Sequence, residues 1–161
     1  MLCRNVLIAT AVTLIASPSF GAVSPKDIQG QWRCDPYTMN GPGMTITVVE
    51  QRLYSKDGSY FESSTSSTKL NGGRVITTKS NISGSWQLNE GIIELQFKST
   101  AFLSSDDKDY SLEMGQRDAD AQLQRKNWAK EKVLEFGKRL VTTPVQAMYK
   151  AAEVIVSCRR A

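Results

Sequence analysis

Between residues 43 and 103 apolar and polar side chains alternate with a period of two, the spacing of strands that bury one face. In "IIELQFKS" (92–99) Ile93, Leu95 and Phe97 share one face, and Glu94, Gln96 and Lys98 share the other. In "NISGSWQL" (81–88) Ile82, Gly84, Trp86 and Leu88 align in the same way, and "NEG" (89–91) between the runs is turn chemistry, so the two form a hairpin. Upstream, "PGMTITVVEQRLYS" (42–55) places Met44, Ile46 and Val48 on one face and then shifts parity to Val49 and Leu53. The shift predicts a bulge near Val48. "KDG" (56–58) turns this strand into "SYFESSTSSTKL" (59–70), and "NGG" (71–73) turns that into "RVITTKS" (74–80). The result is a meander of antiparallel strands, in which "SSTSST" is either a mobile strand or a flexible hairpin end.

From Asp106 the pattern changes. "DDKD" (106–109) breaks the meander, and "MGQRDADAQLQRKNWAKEK" (114–132) is rich in helix formers without proline. This predicts a helix over 116–131 that lies on the surface, because Leu123 and Trp128 are out of phase for a narrow apolar stripe. Gly137 interrupts "VLEFGKRLV" (133–141), which reads as strand, tight turn and strand rather than a continued helix. In "AEVIVSCRR" (152–160) Val154, Val156 and Cys158 alternate with Glu153, Ile155 and Ser157, a final strand. Eight or so short strands must close or stack to protect their edges. The fold expected is mainly β, a small antiparallel up-and-down barrel with one surface helix, with a two-sheet sandwich as the alternative.

The first 21 residues read as a secretory signal: Arg4 is followed by the apolar run "VLIATAVTLIA" (6–16) and by "SPSFG" (17–21), with small residues at Ser19 and Gly21. Eleven apolar residues are too few to span a bilayer, where about 20 are needed. The mature chain is expected to begin at Ala22, as one domain of about 140 residues in the periplasm or outside the cell. Loss of Cys3 leaves Cys34 and Cys158, and an even pair sent to an oxidising compartment reads as a disulfide.

The net charge of +4 is uneven: residues 22–111 hold nine Lys and Arg against ten Asp and Glu, and 112–161 hold ten against six. Arg125, Lys126, Lys130 and Lys132 form a candidate basic face, able to make a weak contact with an anionic surface. Secretion and the lack of a basic-aromatic motif disfavour nucleic acid.

Histidine is absent, which excludes Ser-His-Asp and Cys-His catalysis. No acidic pair has zinc-ligand spacing, and "DDKD" lacks the Gly and terminal Glu of a calcium loop, so it reads as a solvated turn. Glu90 and Glu94 read as surface charge, "NGG" joins two strands instead of cradling phosphate, and "NIS" (81–83) is a formal sequon. No catalytic residue, metal or cofactor is expected.

"GQW" (30–32) at the first strand, the up-and-down strands after it and an Arg in the last strand resemble the lipocalin-like, or calycin, group. The resemblance implies that Trp32 closes the barrel base and that Arg159 or Arg160 packs over it. "KDY" (108–110) stands where that group has Thr-Asp-Tyr, but lacks the Thr, and the helix precedes the final strand instead of following the barrel. The chain better resembles short secreted bacterial lipocalin-like domains than a true lipocalin, and such domains share no single activity. If first and last strands pair antiparallel with Cys34 opposite Cys158, Trp32 falls opposite Arg160, which then becomes the better match.

The barrel interior is the remaining candidate site. Beyond an apolar base, Thr78, Ser80 and Gly84 continue one strand and Ser99 and Ala101 the next. With Trp86 and Phe97 below, these residues outline a pocket for a small amphipathic or lipidic ligand. The functional expectation is a monomeric, non-enzymatic binding module. The alternative is an inhibitor or immunity protein that caps a partner enzyme.

Overall fold

Alternation becomes nine strands in the computed structural model, which describes residues 22–145 and 154–161. The signal segment read over residues 1–21 lies outside the described residues. A short helix α1 (Pro25–Ile28) leads into β1 (Gly30–Cys34), β2 (Tyr37–Gly41), β3 (Met44–Tyr54), β4 (Ser59–Leu70), β5 (Val75–Asn89) and β6 (Ile92–Ser105). Helix α2 (Leu112–Arg125) follows, then β7 (Trp128–Glu135), β8 (Arg139–Pro144) and β9 (Val156–Arg160). Every pairing is antiparallel, in one up-and-down sheet. β1 lies between β9 and β3, so the order of strands returns to its start and the sheet forms a barrel-like ring.

The parity break near Val48 arises differently from the expected bulge. β3 runs against β4 in unbroken register from Met44↔Leu70 to Tyr54↔Tyr60. The interruption is in its other neighbour, where Asp35 and Pro36 separate β1, paired with Gln51 to Tyr54, from β2, paired with Met44 to Val48. Proline has no N–H to give a ladder. Val48, Glu50, Arg52 and Tyr54 consequently face inward, whereas Val49 and Leu53 face solvent.

The turn at Glu90 and Gly91 joins β5 to β6 with two residues, and both have positive φ (49° and 77°). That geometry matches the twist of the strands, and Gly supplies it without strain. "SSTSST" is strand throughout, paired by β3 on one side and β5 on the other.

α2 starts and ends earlier than the composition suggests. Ser111 Oγ caps it by accepting from Met114 N at 3.2 Å, and residues 128–132 pair with β6 instead of continuing the helix. Pairing overrides the helix propensity of Lys, Glu and Ala there. Strand, turn at Gly137 and strand follow as read from the sequence.

The core fills one end of the ring. Ile28, Trp32, Tyr54, Tyr60, Ile93, Leu95, Leu140 and Val156 are buried there, with the Cys34–Cys158 disulfide among them. α1 lies against this end: Ile28 is buried, and its carbonyl accepts from Trp32 Nε1 at 2.8 Å. Arg160 stacks on the Trp32 ring, 4.5 Å from its centroid, and donates to the carbonyls of Gln29 and Asp27 at 2.9 and 3.0 Å.

Candidate functional site

Above the apolar end, the inner face turns polar. Arg52 sits at its centre, buried, with Nε 2.5 Å from Glu50 Oε1 and Nη1 2.7 Å from Glu131 Oε2. Nη1 also reaches the Tyr54 hydroxyl at 3.3 Å. The second oxygen of Glu50 accepts from the Tyr37 hydroxyl at 2.9 Å, and Thr142 donates to Glu131 Oε2 at 2.8 Å. Burial opposes charge on Arg52, but Glu131 and Glu50 outweigh it and hold the guanidinium pKa well above its ordinary value. Burial raises the hydroxyls of Tyr54 and Tyr60 in turn. Buried charges need such partners, since removing one strands another.

Glu62 is the exception. It is half-buried, and its Oε2 accepts from the Tyr60 hydroxyl at 2.5 Å, but among the described residues no cation pairs with it. Burial, and then the charge of Glu50, push its carboxyl up to about 7, against the opposing pull of Arg52 and the Tyr60 bond.

β4, β5 and β6 bring Glu62, Ile82 and Thr100 into one row on this inner face, because Glu62 pairs with Ile82 and Ile82 with Thr100. A cleft of about 200 Å³ opens at Ile82 and Thr100, between the sheet and α2. Phe97, Leu123, Trp128 and Ala129 give it apolar walls, and Ser80 and Lys126 line it with polar groups. Thr100 Oγ1 is buried there without a hydrogen-bond partner. The Tyr60 ring stands 6.3 Å from Phe97, linking the Glu62 carboxyl to the cleft wall.

α2 is seated on the sheet by two residues. A Cβ on Gly115 would come within 2.3 Å of the Phe102 ring, so only Gly allows this approach. Gln116 bonds the part of the β6 edge that β7 leaves unpaired: Phe102 N donates to Oε1 at 2.9 Å, and Nε2 donates to the Thr100 carbonyl at 3.1 Å. One side-chain amide thereby does what a neighbouring strand would do, and an edge so covered is protected from intermolecular pairing.

The six pocket positions proposed from sequence separate. Ser80 and Phe97 line the cleft. Thr78 lies on the inner parity of β5, two residues beyond Ser80. Trp86 is buried deeper, its Nε1 donating to the Ser55 carbonyl at 2.9 Å. Gly84 marks a bulge, where an added Cβ would lie 2.1 Å from the Gln96 carbonyl oxygen. Ser99 is not in the interior. The bulge pairs Gly84 with Phe97 but Ser83 with Ser99, which skips Lys98, turns Thr100 inward and sends Ser99 outside to meet Ser83 Oγ at 2.7 Å.

The proposed basic residues divide likewise. Arg125 and Lys126 end α2, and Lys126 Nζ lies 4.9 Å from the Trp128 ring centroid. Lys130 on β7 is neutralised by Glu94 at 2.5 Å, and Lys132 stands opposite Ile92. A denser row, missed in the sequence, crosses three strands: Arg33 pairs with Arg159 and Arg159 with Arg139 on the outer face. Asp35 approaches only Arg159, at 3.4 Å, and Arg139, at 3.7 Å. Only strand register could have revealed it.

The acidic turn serves the fold. Asp106 accepts from Thr77 N at 2.7 Å and Asp107 pairs with Arg74 at 2.6 Å. Tyr110 of "KDY" donates to Asp118 at 2.7 Å and packs edge-on against Phe102, which helps to hold α2. Asn81 lies within a strand paired on both sides.

Among the described residues, no group of three or more acidic or cysteine side chains is placed to hold a metal ion, and no helix is long and apolar enough to cross a membrane. Compared with known proteins, the chain matches no protein-family model and no curated protein. What the site offers is an apolar cleft beside a polar interior, with one hydroxyl and one carboxyl left over.

Proposed function

We propose that this protein is a lipocalin-like binding module, exported to the periplasm or beyond, that holds a small amphipathic molecule without transforming it. The observation that carries this reading is the cleft under α2, apolar along Phe97, Leu123 and Trp128 and bearing the unpartnered Thr100 hydroxyl. A cavity of about 150 Å³ is enough for benzene, so a cleft of about 200 Å³ takes a ring or short chain and leaves a larger ligand's remainder in solvent. A non-catalytic role is supported by the absence of His and by the engagement of Glu50 and Glu131 with Arg52.

The test is titration with N-phenyl-1-naphthylamine, an uncharged fluorescent probe. Saturable binding is expected, and Ala119→Phe, which fills the cleft, weakens it by about tenfold or more. Equal binding by wild type and Ala119→Phe overturns the cleft as the site. The exposed row Arg33, Arg159 and Arg139 supports a second reading, an inhibitor that caps an acidic partner protein. Native mass spectrometry of protein from its own host separates the two: a co-purified mass of a few hundred daltons favours the cleft, and a stoichiometric protein favours the inhibitor.

A further inference from the structure

We propose that the ligand carries a cationic head, an ammonium in the simplest case, and that Glu62 is its counter-charge. The inference rests on the cleft being the binding site and adds the chemical class of what enters it. Its basis is an imbalance inside the ring. Three carboxylates, Glu50, Glu62 and Glu131, share an interior whose central cation is Arg52. Arg52 stands opposite Glu62 on β3, but its bonds go elsewhere: Nε serves Glu50, and Nη1 serves Glu131 and the Tyr54 hydroxyl. Glu62 keeps only the Tyr60 hydroxyl, on one of its oxygens.

A carboxylate without a counter-ion is disfavoured even where it is only half-buried, and Glu62 is so placed one strand from an open cleft. The position of Glu62 is what makes it informative. It lies across from Ile82, which lies across from Thr100, and cross-strand neighbours on one face have Cβ atoms about 5 Å apart. In the proposed pose the ligand's apolar part rests on Phe97 and Leu123 and its head passes over Ile82 to Glu62, which stands one strand beyond the cleft lining. Thr100, on the other side of Ile82, closes the cleft end of this row, its hydroxyl oxygen buried without a hydrogen-bond partner. The Phe97 ring, in the cleft wall, offers a π-face of the kind that favours a cation.

The charged groups around Glu62 agree. From β3 come Glu50 and Arg52 and from β7 Glu131, and these cancel to a net negative charge before Glu62 is counted. Lys126 lines the cleft from α2, but its ammonium lies over the Trp128 ring and makes no ion pair with Glu62 among the described residues. A carboxylate ligand would meet repulsion in this interior, and a neutral one would leave Glu62 as it is.

The experiment is displacement of N-phenyl-1-naphthylamine by hexylamine, hexanol and hexanoate, which share a chain and differ in head charge. At about pH 8, hexylamine is expected to compete about tenfold better than hexanol, and hexanoate worst. In Glu62→Gln the preference for hexylamine over hexanol falls to within about twofold, while the probe itself binds as before, which shows an intact cleft. Tyr60→Phe removes a hydrogen bond that favours the carboxylate, so the preference persists but appears at higher pH. Equal competition by the three heads, or a preference that survives Glu62→Gln, overturns the cationic-head assignment and leaves the cleft standing. Loss of probe binding only in Ala119→Phe supports the cleft, and its retention there defeats both readings together.

Discussion

Glu62 links the site to stability. Its folded pKa, pushed up to about 7 from an ordinary 4.5, means that the native state holds this proton more tightly than the unfolded chain. The stabilisation that follows is complete below the unfolded value and is lost as pH rises through the folded one. Glu62→Gln keeps the size of the protonated acid and cannot ionise. It should match wild type at about pH 5 and exceed it by about 1–2 kcal/mol at about pH 8, the full shift being discounted for the water that a half-buried carboxyl still sees. Urea denaturation at the two pH values checks this; a constant difference between the proteins would show that Glu62 does not titrate in this window. Arg52 predicts the opposite behaviour. Arg52→Met leaves Glu50 and Glu131 buried without their cation and should cost about 3–5 kcal/mol, measured in the same way. A loss under about 1 kcal/mol would mean that the two carboxylates find water instead.

At the scale of elements, α2 acts as a cover for the exposed length of β6. Gln116→Ala removes both bonds to that edge and leaves the Phe102 N–H and the Thr100 carbonyl without partners. A loss of about 1–2 kcal/mol is expected, with faster amide hydrogen exchange at Phe102 and little change in β3 or β9. Unchanged protection at Phe102 would show that α2 stays seated through Gly115 and Tyr110 alone. The sequence disclosed the elements better than it disclosed their faces. The β5–β6 hairpin was readable because Trp86, Leu88, Ile93 and Leu95 alternate without exception and are inward in the fold. β3 misled because the rule that apolar means inward fails where Glu50 and Arg52 neutralise each other inside. Ser99 was misplaced by one skipped residue, Lys98, which inverts the side chains that follow on β6 until a second skip, at Leu103, restores the parity. Glu62 carried no local signal, since its meaning depends on Glu50 and Arg52 on one neighbouring strand and Ile82 on the other.

The whole molecule depends on a seam. β1 and β9 meet at Trp32↔Arg160 and Cys34↔Cys158, and the disulfide ties positions 124 residues apart. Without that seam the strands form an open sheet with two unpaired edges and an apolar interior exposed between them. In the chain-entropy picture, a cross-link closing so long a loop stabilises by up to about 4–5 kcal/mol, by restricting the unfolded chain. The Cys34→Ser, Cys158→Ser double variant should therefore unfold at markedly lower urea, with a steeper dependence on denaturant, because its unfolded state exposes more surface. Arg160→Ala addresses the same seam from the folded side. It removes the stack on Trp32 and the bonds to Gln29 and Asp27, and should cost about 1–2 kcal/mol with no change in that steepness. The pair of experiments thus separates two ways of holding one seam. Should the double variant lose only as much as Arg160→Ala, with an equal slope, the disulfide would be acting through native contacts, and the ring would owe its closure to packing at its base.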